Sequence, residues 1–469
     1  MDSTPEQLRF ASIPGCTIRA DFAGGGLSSD LGPLLLKGVD RQIGLTERVC
    51  AAIDDTRHPG YITHTLHDIL KQRIYQIASG YEDGNDCNSL RHDPVFRLGV
   101  GRKPFDTDKA EGADGADGAL ASGSTISRFE HAVSSKDIYR LSEALVDQFI
   151  AGYATPPQAL VLDIDHSEDA AYGQQPLAFY NHHYQSTCYL PLMVFEGLSG
   201  ALVAAVLRPG KRPTGAQNAM ILKRVLKRIR EHFPHTHILV RGDGHFSTPE
   251  LMAMIDAMDD TDFIFGLPSN AVINRLAEPA MQRACALWAE VQTQEVVPDA
   301  VRLYEEFRYA AASWHKPLRV VQKAEVMGLG ENPRFVVTSL EAPEPVRVYE
   351  ELYCGRGQAE NWIKHLKADL ASVRTSCTTF LANFMRLLEH AAAYVLHQQL
   401  RTQALQYTEL AHAQPSTVIT KLFKIAVQVK QFKDRVILHL PSACPVKQLL
   451  QTVTERLFVP KPAKLLFSP

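Results

Sequence analysis

Apolar positions recur at helical spacing in two stretches of the first third of the chain, H67-D-I-L-K-Q-R-I-Y-Q-I-A78 and I138-Y-R-L-S-E-A-L-V-D-Q-F-I150. They predict a mainly helical region up to about residue 155. Between them, K109-A-E-G-A-D-G-A-D-G-A-L-A-S-G-S124 is small, polar and glycine-rich, which predicts a mobile loop over 109–124. From about Pro156 the period shortens. A159-L-V-L-D-I-D165, T187-C-Y-L-P-L-M-V-F195 and A201-L-V-A-A-V-L-R208 read as strands, with L198-S-G200 as a turn. A helix over 216–233, the strand H237-I-L-V-R241, a helix opening at S247-T-P-E250 with capping-box spacing, and the strand D262-F-I-F-G-L267 follow. Strands first, then β-α-β units, predict a mixed α/β sheet. Two further strands, R319-V-V-Q-K-A-E-V326 and R334-F-V-V-T-S339, make 271–350 a β-rich insertion.

Composition narrows the class. The chain has 469 residues, 45% hydrophobic and 22% charged, enough for two or three domains. The first ten residues hold no apolar core of signal-peptide length, and no apolar run is long enough to span a bilayer, so a cytoplasmic protein without a membrane partner is expected. The eight cysteines form no C-x-x-C pair and read as reduced thiols. A formal charge of −3 argues against indiscriminate coating of nucleic acid, but charge is uneven. From residue 401 on, Lys421, Lys424, Lys430, Lys433, Arg435, Lys447, Arg456, Lys461 and Lys464 outweigh the nearby acids and suggest a phosphate-binding surface. The helix with Lys223, Arg224, Lys227, Arg228 and Arg230 is a second such candidate, equally well explained as a solvated face.

The candidate chemistry is carboxylate chemistry. Period two sets Asp163 and Asp165 on one face of their strand, about 6.6 Å apart, while Asp243 follows the end of another strand, where ligands of open α/β sheets gather. In Y353-C-G-R-G-Q-A-E-N-W-I-K-H-L-K367, uniform helical winding brings Tyr353, Arg356, Glu360 and Lys367 within an arc of about 60°. Trp362, Ile363, Leu366 and Leu370 remain as the apolar face. Gly355 and Gly357 weaken such a helix, which suggests a close approach of another group. Convergent carboxylates with a scissile phosphate are what a pair of Mg²⁺ ions requires. Of the first two acids Asp165 is favoured, being nearer the carboxyl end of the strand, with Asp163 as the alternative. His182 and His183, adjacent on a strand, would face opposite ways and so make no chelating pair.

These residues carry a resemblance. L162-D-I-D165, Y172-G-Q-Q175, L207-R-P-G210, V240-R-G-D243 and the spacing of Tyr353, Arg356, Glu360 and Lys367 resemble bacterial insertion-sequence transposases of the DDE class, the group often called DDE transposase group 1. I77-A-S-G-Y-E-D-G-N-D86 and L90-R-H-D-P94 extend the likeness into the first domain. His166 stands where a small residue is commoner in that family. The resemblance implies a ribonuclease-H-like core: helical DNA-end-binding domain 1–155, core 156–270 and 351–400, β-rich insertion 271–350 and basic segment 401–469. It implies metal binding by Asp165, Asp243 and Glu360, with Mg²⁺ as cofactor and Mn²⁺ as a substitute, and DNA phosphate contacts by Tyr353, Arg356 and Lys367. The implied partners are double-stranded DNA, both terminal inverted repeats and target, and further copies of the chain in a synaptic complex. A catalytically inactive, transposase-derived DNA-binding protein is the alternative, and a nuclease of the same fold a third.

Overall fold

The computed structural model describes residues 7–105 and 118–458. They form two compact units. One is built from the described residues of Met1–Cys50, Asp55–Phe129 and Gln399–Lys461, the other from Ala51–Asp54 and Glu130–Gln398. The boundary expected at 155 falls earlier, since the helix Ser135–Ile150 packs with the sheet-bearing unit; near the one expected at 401 the chain does change unit, between Gln398 and Gln399, and the basic C-terminal segment folds with the N-terminal helices.

In the first unit the helices Gly32–Ile43, Leu66–Ala78, Pro94–Val100 and Lys447–Phe458 bury Leu35, Leu36, Leu70, Ile74, Phe96 and Val453. Motif residues here are structural. Asp93 caps the helix Pro94–Val100 by accepting from the amides of Val95 and Phe96. The buried Arg73 guanidinium donates to the carbonyls of Tyr81, Glu82 and Asp83. Of the expected loop 109–124, residues 109–117 lie outside the described residues. The remainder is core rather than loop. Ala119, Leu120 and Ala121 are buried, the Gln72 amide bonds both the N–H and the carbonyl of Ala121 at 2.8 Å, and a helix begins at Gly123.

The second unit is organised on a nine-stranded sheet in the order Ala300–Tyr309, Leu318–Met327, Arg334–Thr338, Thr261–Gly266, His237–Gly242, Ala159–His166, Leu192–Glu196, Leu202–Val206, with Gly330–Glu331 paired onto Leu318–Met327. The central three, Thr261–Gly266, His237–Gly242 and Ala159–His166, are parallel and the flanking pairs antiparallel. This is the expected mixed α/β class. Alternation sorts the two faces. Ile238, Val240, Phe263 and Phe265 pack under the helices Gly215–His232 and Pro249–Asp256, whereas Leu239 and Ile264 meet Val348 and Tyr349 on the other side.

Two expectations are corrected, and the strands expected within 271–350 are found, as part of the main sheet. T187–F195 is two strands, Ser186–Tyr189 in a small three-stranded sheet and Leu192–Glu196 in the large one, because Pro191 cannot continue the ladder. The strands of 271–350 extend the main sheet, and the segment opens with a helix, Ala271–Val291. Ser247 and Glu250 form no capping box: Thr248 is the cap residue, and the Ser247 hydroxyl donates to the Gly244 carbonyl.

Candidate active site

Parallel pairing of Ala159–His166 with His237–Gly242 sets Asp163 opposite Arg241. Both side chains are buried, and the guanidinium holds the carboxylate through two bonds, Nε to Oδ1 at 2.6 Å and Nη2 to Oδ2 at 2.8 Å. The third guanidinium nitrogen, Nη1, donates to the Leu352 carbonyl at 2.7 Å. The pair thereby ties the sheet to the start of the helical run that carries the last candidate acid. Two glycines leave room for it: a methyl at Gly197 would come within 2.5 Å of Arg241 Nη2, and one at Gly355 within 2.7 Å of Arg241 Nη1. The close approach suspected at Gly355 is thus an arginine side chain, while nothing lies within 4 Å of a methyl at Gly357.

The paired register ends one step further, at Gly242 opposite Ile164, and the next residue of each segment is an acid, Asp243 and Asp165, close enough to feel each other's charge. Burial, then the charge of Asp243, pushes the Asp165 carboxyl up to about 6. Asp165 Oδ1 accepts the His166 amide at 2.8 Å. Burial also pushes Asp243 up, but the His245 ring, which donates from Nδ1 at 2.8 Å and adds its charge, outweighs it and leaves the carboxyl below its ordinary value. That same bond raises His245 against the effect of burial. His166 stacks on Phe246 with centroids 4.4 Å apart and accepts from Arg208 at Nδ1. Burial and the Arg208 charge hold it neutral, with its pKa pushed down to about 3.

The residues 347–369 form one helical run of uneven winding: Arg347–Tyr353 and His365–Asp369 have π hydrogen bonding, Cys354–Gly357 is a 3₁₀ turn and Gln358–Lys364 is α-helical. The uniform stripe expected from 3.6-residue winding is corrected accordingly. Its apolar face is as read, with Trp362, Ile363, Leu366 and Leu370 buried. Trp362 lies so close to Gly200, which has φ +72°, that a methyl there would come within 2.7 Å of the indole. Arg356 feels the charges of both Asp165 and Asp243, stacks over Tyr353 at 5.3 Å, and has a buried Nε without a hydrogen-bond partner. The Tyr353 hydroxyl packs against Gly266, next to the Asp243 loop. Glu360 adds to the raising of Asp165, yet its side chain is 67% exposed and sits 3.7 Å from Arg356. Lys367 is farther along, donating to the Glu168 carbonyl at 2.5 Å.

Asp165 and Asp243 are therefore brought together with Arg356 and Tyr353, Glu360 stands at the rim, and Asp163 is occupied by Arg241. Among the described residues no three His, Cys, Asp or Glu side chains converge closely enough to hold one ion as they stand. The donor set still fits a hard divalent cation: two like charges side by side, one of them held up by the other, lose that repulsion when a cation lies between them. Sequence reasoning did not single out the roles of Arg241, His245 or Asp169. Asp169 is fully buried with neither carboxylate oxygen hydrogen-bonded, and burial, against the opposing charge of Lys367, pushes it up to about 7. His182 and His183 lie in the turn between Phe179–Asn181 and Ser186–Tyr189, not on a strand.

The family model described as Transposase DDE domain group 1 matches residues 10–461. No curated protein matches the chain. Among solved structures, a cryo-EM structure of piggyBac transposase synaptic complex with hairpin DNA is similar over 84% of this chain and 80% of that one, at 13% identity and a TM-score of 0.37.

Proposed function

The chain belongs to the DDE transposase group 1 family, and from that premise we propose that it is a Mg²⁺-dependent transposase of its own insertion sequence. In this reading it binds the terminal inverted repeats as a homo-oligomer in the cytoplasm, hydrolyses a phosphodiester at each end, and joins the freed 3′-hydroxyl to target DNA. The observation that carries the reading is the proximity of Asp165 and Asp243 at the carboxyl ends of two parallel strands of the mixed sheet.

Asp165, Asp243 and Glu360 would hold the metal, and Asp163, locked by Arg241, would position the strand instead. When bound, a pair of Mg²⁺ ions supplies charge stabilisation for the attacking and leaving oxygens. The protein's own groups do the rest. Arg356 offers a planar donor fork with an unmade Nε bond to the phosphate, Tyr353 a hydroxyl donor, and Lys367 a point charge beside the strand end. His245 fixes the orientation of the Asp243 carboxylate.

A second reading, a catalytically inactive DNA-binding descendant, is favoured by the outward Glu360 side chain. One experiment separates the two. On a fragment carrying the element's ends, the unaltered protein should cut and join with Mg²⁺, or with Mn²⁺ in its place, and stop on addition of EDTA. Asp243→Asn and Glu360→Gln should lose cutting while retaining end binding in a mobility shift. End binding by the unaltered protein without metal-dependent cutting would establish the inactive reading, and retained cutting by either variant would remove that residue from the mechanism.

A further inference from the structure

Beside His245 lies a cavity of about 200 Å³, whose lining includes Arg212, His166, His183, His245, Asn181 and Tyr184. Its walls come from four separate segments, and hydrogen bonds hold them in place. Asn181 Oδ1 accepts the amides of His183 and Tyr184, which fixes the turn, and Asn181 Nδ2 donates to the Gly210 carbonyl at 3.2 Å, which ties that turn to the segment bearing Arg212. The rings of His166 and His183 each stand 6.0 Å from that of His245.

The charges around this corner are mixed: Asp243 is bonded to His245, and Asp165 and Asp243 act on Tyr184, while two arginines on the other walls have no carboxylate partner among the described residues. Arg208, behind the His166 wall, is buried and bonded to the Leu190 carbonyl at 2.8 Å, Asn218 Oδ1 at 2.7 Å and His166 Nδ1 at 2.5 Å, none of which carries a negative charge. Because Arg208 occupies Nδ1, the proton of the neutral His166 ring sits on Nε2, a donor. Arg212 is exposed and has no ion-pair partner among the described residues. A buried cation without a counter-ion is costly, and an anion placed in the adjoining cavity offsets that cost while meeting several N–H donors at once.

We propose that this cavity is a phosphate-binding subsite, and that its occupant is a backbone phosphate of the bound DNA strand neighbouring the scissile one. The DNA assignment rests on the transposase reading; the phosphate chemistry does not. Such a subsite holds the strand next to the two acids through groups other than Arg356, so that the reacting phosphodiester is positioned by a second phosphate contact.

The test has two arms on the full-length protein. In the first, inorganic phosphate is titrated into the DNA-free, metal-free protein and the histidine ring protons are followed by NMR, for the unaltered chain and for Arg212→Gln and His183→Gln. Both substituted side chains are exposed, so the fold should persist. In the second, end-DNA affinity is measured against salt. Saturable shifts weakened by Arg212→Gln, together with an affinity loss on the order of tenfold and a salt slope flattened by about one, support the proposal. Phosphate binding with an unchanged DNA slope assigns the cavity to free phosphate and overturns the DNA assignment. No saturable phosphate response and no slope change overturn the subsite altogether. Phosphate binding by a protein that binds no element ends sinks the transposase reading and leaves the phosphate site standing.

Discussion

Asp165 carries a charge that the metal-free fold disfavours, and this gives it a pH signature. Its folded pKa of about 6 lies above the ordinary value of about 3.9, so between those two pH values the folded state keeps a proton that the unfolded chain has lost. Stability contributed at this site is intact below pH 4, falls as pH rises through that window and stays lost above it. Asp165→Asn should therefore raise the denaturation midpoint of the metal-free protein at pH 7, by on the order of 1 kcal/mol once partial solvent access is allowed for, and leave it unchanged near pH 4. Unchanged midpoints at both pH values would mean that neither burial nor the Asp243 charge opposes ionisation of Asp165. Two residues earlier on the same face, Asp163 has the opposite environment, because a bidentate arginine neutralises it. The shared face was legible from period two alone. The difference between the two acids was not, since it depends on Arg241, 78 residues away in the chain and adjacent only through strand register. His166 shows the same limit: as a residue type it departs from the family pattern, yet its contacts with Phe246 and Arg208 turn it into a wall of the neighbouring cavity.

Among the elements, the helical run 347–369 carries four of the proposed site residues, Tyr353, Arg356, Glu360 and Lys367, on an irregularly wound backbone. Changes of winding redirect side chains without ending a helix, and such π segments are frequent at functional sites. Sequence spacing could foresee the helix and its buried face, but not the winding, which the packing of Val348 and Tyr349 on the sheet and the anchor from Arg241 to Leu352 impose. Strand alternation was similarly legible in the long central strands, whereas the small sheet of Asp169–Ala170, Phe179–Asn181 and Ser186–Tyr189 is built of segments too short to show a period. The capping boxes that do form, Ser134 with Asp137 and Thr214 with Gln217, use Asp and Gln at the third position and went unread. The two helix glycines give a paired test. Gly355→Ala would drive a methyl into Arg241 and displace the anchored turn, so end cleavage should fall on the order of 10²-fold, as misplacement of catalytic groups by about 1 Å can cause. Gly357→Ala meets open space and should cut at close to the unaltered rate. Equal rates for the two variants would mean that the Arg241 anchor does not set the geometry of the site.

At the scale of the whole molecule, a net charge of −3 has to be reconciled with the proposed polyanionic partner, which directs attention to where the positive charge is free. On the helix Gly215–His232, Arg228 is paired with Asp147 and Glu231, and Arg230 is spent on the carbonyls of Thr236, Asp259 and Asp260, so that helix is braced rather than poised for phosphate. In the C-terminal segment, Lys424 is bound to the buried Asp30 and Arg456 donates to the Ala404 and Gln406 carbonyls. Lys421, Lys430, Lys433, Arg435 and Lys447 remain exposed, while Lys461 and Lys464 lie outside the described residues. Sequence showed the charge excess but not that this segment is also structural: Leu449, Leu450, Val453 and Leu457 of its last helix are buried, so deleting it would damage the first unit and confound any binding measurement. Neutralising charge is the cleaner experiment. Lys430 lies near the end of a strand and Lys433 and Arg435 lie in the turn that joins Val427–Gln431 to Val436–His439, where substitution disturbs no buried side chain. The triple change of Lys430, Lys433 and Arg435 to Gln should leave the melting temperature unaltered and lower affinity for unrelated duplex DNA. It should also flatten the slope of log affinity against log salt by about one for each phosphate that these side chains neutralise in the unaltered protein. An unchanged slope would make this hairpin a solvated surface and move the nonspecific DNA contact to the other exposed lysines, Lys421 and Lys447.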